Sequence, residues 1–114
     1  MNSESNEQIS FILWFKFNYP DVTIFSIPNG GSRNKVEAMN LKKEGILAGV
    51  SDLFIPEWRL WIEFKRIKGG TVSKEQKSFM IEMERVGYQC YVARGFEQAK
   101  EVVDICNKVF TIET

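Results

Sequence analysis

Residues 50–66 read VSDLFIPEWRLWIEFKR. Two runs rich in aromatic and β-branched side chains, Val50 to Ile55 and Arg59 to Arg66, flank a short Pro56-Glu57-Trp58 connection. Such runs favour extended chain, and so short a junction turns the second run back along the first, which predicts an antiparallel hairpin. Along the second strand the side chains alternate. Leu60, Ile62 and Phe64 point to one face and read as core, while Trp61, Glu63 and Lys65 point to the other. A carboxylate and an ammonium then stand about 7 Å apart on one face. Asp52, in the first strand, lies across the hairpin, so Asp52 and Glu63 converge beside Lys65.

Working outward, a first helix is predicted from about Asn6 to Phe17, with Ser5 and Gln8 at capping-box spacing and Tyr19-Pro20-Asp21 as its stop. Its apolar residues (Ile9, Phe11, Ile12, Leu13, Trp14, Phe15, Phe17) cover more than one face, which predicts burial on two sides, one of them at a subunit interface. Val22 to Ile27 reads as a strand ended by Pro28-Asn29-Gly30-Gly31, and Lys35 to Glu44 as a helix stopped by Gly45. Beyond the hairpin, Gly69-Gly70 leads to a helix over Lys74 to Val86, with Ser73 as cap and Gly87 as stop. Tyr88 to Ala93 is a fourth strand, and Phe96 to Val109 a last helix. The order is αβαββαβα, read as one α/β domain over residues 1–114. The last two strands and the helix between them are expected to form a right-handed parallel unit, giving a mixed four-stranded sheet flanked by helices.

Composition narrows the chemistry. The chain of 114 residues contains no histidine and two cysteines, Cys90 and Cys106. Ser-His-Asp and Cys-His nucleophile systems, His-ligated zinc, four-thiolate metal sites and disulfide scaffolds are thereby excluded. The polar N-terminus with Glu4 and Glu7 is not a secretory signal, and the apolar run from Phe11 to Phe15 is far too short for a membrane span. A cytoplasmic protein is expected. Net charge is zero, yet Arg33 to Lys77 carries ten basic against six acidic residues. A basic middle between acidic ends offers one cationic face to a polyanion.

Two carboxylates, a backbone carbonyl and waters make a hard oxygen site suited to Mg²⁺ or Mn²⁺. Such a cation draws charge from a phosphoryl oxygen and acidifies a water, and a lysine beside it orients the nucleophile and stabilises negative charge. Glu-x-Lys alone is common in charged strands. An aspartate in the adjoining strand and a flanking basic segment make the pattern selective.

Gly49-Val-Ser-Asp52, Ile62-Glu-Phe-Lys-Arg66 and Ser73-Lys-Glu-Gln76, in this order, resemble the VRR-NUC branch of the PD-(D/E)xK nuclease superfamily over about Glu7 to Val103. The resemblance implies a restriction-endonuclease-like core and a metal-dependent endodeoxyribonuclease. By it, Asp52 and Glu63 are metal ligands, the Phe64 carbonyl is a further ligand and Lys65 is the catalytic lysine. It also assigns the first-helix carboxylate, matched to Glu7 rather than Glu4, to a metal-bound water or a second ion. Gln76 would stand beside the active site, although Ser73-x-x-Gln76 is equally a capping box, and the two roles are compatible. Ser51 stands where the family usually has a proline. Arg33, Lys35, Lys42, Lys43, Arg66, Lys68 and Lys74 are implied DNA-backbone contacts. Free-standing relatives of this kind, often phage-borne, resemble Holliday-junction resolvases, which implies a homodimer acting on four-way DNA junctions with no small-molecule cofactor. A flap or branched-DNA nuclease, or a non-catalytic nucleic-acid-binding module on the same fold, are the alternatives.

Overall fold

The structure, a computed structural model, describes residues 3–28 and 35–113, with side chains for 3–28 and 39–107. Among the described residues, four helices and four strands follow in the expected order: α1 (Glu4–Asn18), β1 (Phe25–Ser26), α2 (Lys35–Lys43), β2 (Leu53–Ile55), β3 (Leu60–Lys65), α3 (Lys74–Arg85), β4 (Gln89–Arg94) and α4 (Gly95–Glu113). The strands lie side by side in chain order. β1 and β2, and β2 and β3, pair antiparallel, whereas β3 and β4 pair parallel across the α3 crossover. The fold is therefore α/β with a mixed four-stranded sheet. Among the described residues no helix is long and apolar enough to cross a membrane.

The two faces of the sheet differ in chemistry because alternate side chains leave a strand on opposite sides. Leu53, Ile55, Leu60, Ile62 and Phe64 are fully buried on one face, with Phe11 and Phe15 of α1 and Ala99 and Val103 of α4 in the same cluster. The other face carries an aromatic row. Phe25 meets Phe54, Phe54 stacks on Trp61 with centroids 4.1 Å apart, and Trp61 meets Phe79 of α3 edge-on at 5.0 Å. That second face also carries the buried Glu63.

Several boundaries depart from expectation for identifiable reasons. α1 begins at Glu4, because the Ser3 hydroxyl accepts the Asn6 N–H at 3.1 Å; Ser5 falls inside the first turn instead of capping it. Only one face of α1 is buried, through Phe11 and Phe15. Ile9, Leu13 and Phe17 are 55%, 66% and 86% exposed. β1 pairs over two residues only, since Val22 N–H closes a turn onto the Tyr19 carbonyl before the strand begins. β2 starts at Leu53 rather than Val50, because the Asp52 carboxylate takes the Phe64 N–H that a ladder carbonyl would otherwise meet. Arg59 adopts a left-handed conformation (φ 51°) after a 3₁₀ turn over Pro56–Trp58, so β3 begins one residue late. The C-terminus of α3 follows expectation in detail. Gly87 at φ 98° lets its own N–H reach the Glu84 carbonyl and the Tyr88 N–H reach that of Met83, a Schellman closure.

Candidate active site

The site is assembled by the β2–β3 hairpin and the start of α3. Leu53 faces Ile62 in the antiparallel register, so Asp52, one residue before the ladder, falls opposite Glu63. Two backbone contacts hold Asp52. Its carbonyl accepts the Ile27 N–H at 2.8 Å, and its Oδ2 accepts the Phe64 N–H at 2.7 Å. Because the N–H and C=O of one strand residue leave on the same edge, the Phe64 carbonyl faces the Asp52 side as well.

Glu63 is 1% exposed. Its Oε2 accepts a hydrogen bond from the Gln76 side-chain amide at 3.1 Å and stands 3.6 Å from the Lys65 ammonium. Its Oε1 is buried with no partner. Burial, together with the neighbouring Asp52 carboxylate, pushes the Glu63 carboxyl up to about 8, and Lys65 opposes part of that rise. Two neighbouring carboxylates, one with an orphaned oxygen, form a donor set that a hard cation would satisfy.

Gln76 carries both roles weighed from the sequence. Its Oε1 accepts the Ser73 N–H at 2.8 Å and its own N–H reaches the Ser73 hydroxyl at 3.1 Å, a complete capping box, while its Nε2 holds Glu63. Gly49, three residues before Asp52, explains how α3 comes so close. At φ 90° it packs so tightly that a Cβ there would stand 2.3 Å from the Glu75 carbonyl oxygen. Asp52, Glu63, Lys65 and Gln76 all border one cleft of about 670 Å³, with Glu4, Leu41, Ile46 and Leu47 also in its lining.

A solved structure shares this arrangement of elements. A structure described as a "VRR_NUC domain protein" superposes with a TM-score of 0.78 over 95% of this chain and 90% of its own, at 25% sequence identity. This likeness supports membership of the VRR-NUC family. No protein-family model and no curated protein matches it by sequence.

The expected site residues divide. Asp52, Glu63, Lys65, Gln76 and the Phe64 backbone are brought together. Glu7 does not line their cleft. It is buried, and its Oε1 lies beside Gly95, the first residue of α4, where a Cβ would come within 3.3 Å. There the positive end of a helix favours a carboxylate. Glu4, one turn earlier, is the α1 carboxylate that borders the cleft. Among the described residues no group of three acidic or cysteine side chains lies within reach of one metal ion.

Of the basic residues, Lys42, Lys43, Arg66, Lys68 and Lys74 are exposed. Arg33 lies outside the described residues, as does the side chain of Lys35. Sequence reasoning passed over Arg94. Its guanidinium donates to the carbonyls of Gly69 at 2.6 Å and Gly70 at 3.0 Å, bracing the loop between β3 and α3. The available signal was its place at the end of β4, opposite Lys65 in the parallel register.

Proposed function

We propose that this VRR-NUC domain is an Mg²⁺- or Mn²⁺-dependent endonuclease that hydrolyses phosphodiester bonds in branched DNA, four-way junctions above all, and that it works as a homodimer. The observation that carries the reading is the buried Glu63 with its unpartnered Oε1, set against Asp52 and flanked by Lys65 on the floor of a cleft. Asp52, Glu63 and the Phe64 carbonyl would hold the ion. When bound, it would withdraw charge from a phosphoryl oxygen and acidify a water. Lys65 supplies a positive charge beside the attacked phosphate and orients the nucleophile. Gln76 fixes the rotamer of Glu63, so that the carboxylate is aimed before the substrate arrives. Glu4, in place of Glu7, supplies the first-helix carboxylate that steadies water on the far side of the cleft. Lys42, Lys43, Arg66, Lys68 and Lys74, with Arg33 and Lys35, contact the DNA backbone.

One cleft per chain makes one cut, and resolving a four-way junction needs two symmetric ones, which a twofold dimer supplies. The exposed Ile9, Leu13 and Phe17 face of α1 supports such an interface. The test is cleavage of a four-way junction. With Mg²⁺ or Mn²⁺ the protein is expected to nick it, and with a chelator it is expected not to. Glu63→Ala and Lys65→Ala are each expected to lose cleavage by about 10²-fold or more while still binding the junction. Undiminished cleavage by either variant overturns the assignment.

A further inference from the structure

Ile46 and Leu47 stand between two grooves. Both border the candidate active-site cleft and also a neighbouring groove of about 710 Å³ that runs along α3. They are 58% and 59% exposed. The segment that presents them is pinned at both ends. The Gly45 and Ile46 N–H groups close α2 onto the Lys42 and Leu41 carbonyls, and Gly49 rests on the backbone of Glu75 and Gln76. Two apolar side chains are thus held outward beside the floor that carries Glu63.

What surrounds them selects the occupant. Lys42 and Lys74 border the second groove, are exposed, and take no ion pair among the described residues. Of the two acids there, Glu82 is engaged by Arg85, leaving Glu75. Apolar tips flanked by unpaired cations complement a polyanion that displays apolar faces. A continuous duplex hides its base faces within the stack, whereas a branch point exposes them.

We propose that Ile46 and Leu47 form an apolar wedge that seats against the exposed base faces at a DNA branch point, with Lys42 and Lys74 holding the flanking phosphates. The inference rests on the nucleic-acid reading of the adjoining cleft and adds to it a device that selects branched over continuous DNA.

The test uses a four-way junction with 2-aminopurine at the branch, titrated with the full chain in chelator so that no cutting intervenes. Wild-type protein is expected to raise the fluorescence as the base unstacks. The exposed double variant Ile46→Ser with Leu47→Ser is expected to leave it unchanged and to bind the junction about tenfold more weakly. Its melting temperature and its affinity for continuous duplex should match the wild type. Equal fluorescence changes from both proteins overturn the wedge, even where junction cleavage with Mg²⁺ is intact. A wild-type change lost in the variant, without cleavage by either, supports the wedge and overturns the nuclease reading. A variant altered in molar mass by light scattering, with fluorescence unaffected, marks the patch as a contact between copies and also overturns the wedge.

Discussion

A carboxylate as buried as Glu63 is unfavourable in its charged form unless something positive meets it, and Lys65 at 3.6 Å meets only one of its oxygens. The consequence for stability has a definite sign. The Glu63 carboxyl rises from an ordinary 4.5 to about 8 in the folded chain, so the folded state holds this proton more tightly than the unfolded state. The stabilisation is complete below the unfolded value and is lost as pH climbs through the folded one. In chelator, the melting temperature is therefore expected to fall between about pH 4.5 and pH 8. Glu63→Gln should flatten that slope and raise stability at the alkaline end, by something on the order of a few kcal/mol. A thermal scan across this range checks it, and a wild-type profile as flat as the variant's contradicts it. Glu63 and Lys65 were legible in the sequence because a strand of period two puts them on one face wherever the sheet lies. The α1 carboxylate was not. Glu4 and Glu7 are one turn apart on neighbouring positions of a helix, and which of them meets the cleft depends on how α1 crosses the sheet, a tertiary quantity that no local pattern encodes.

At the level of elements, the contact between Gly49 and the start of α3 couples the backbone before β2 to the rotamer of Gln76. Gly49→Ala would put a Cβ into the Glu75 carbonyl, at a backbone angle that an L residue rarely adopts. A loss of about 2 kcal/mol or more is expected in denaturant unfolding, because the helix start has to shift. A variant as stable as the wild type would show that α3 is less tightly seated. The core face makes a simpler prediction. Phe64→Ala, at a fully buried position against Phe11, is expected to cost about 3–5 kcal/mol by the same measurement, and a loss under about 1 kcal/mol would contradict the packing. The hairpin, the capping box and the glycine stops were readable because each depends on residues close in sequence. The lengths of β1 and β2 were not, since Asp52 ends the β2–β3 ladder with its side chain, and a propensity scale counts it only as one more residue in an extended run.

Across the whole molecule, one side of α1 seals the core while Ile9, Leu13 and Phe17 remain outside it. Their spacing of four residues was visible from the start; that they form a separate face, not a second core contact, required the position of the sheet. Leu13→Glu combined with Phe17→Glu is expected to halve the molar mass measured by light scattering without lowering the melting temperature, and an unchanged mass would place any dimer contact elsewhere. The central claim, that Asp52 and Glu63 act as one cation site at the floor of the cleft, has a more direct test. Mn²⁺ titrated into the protein without DNA, followed by the loss of its free-ion paramagnetic resonance signal, should reveal saturable binding that disappears in both Asp52→Asn and Glu63→Gln. Mn²⁺ uptake that persists undiminished in those two variants would contradict the account.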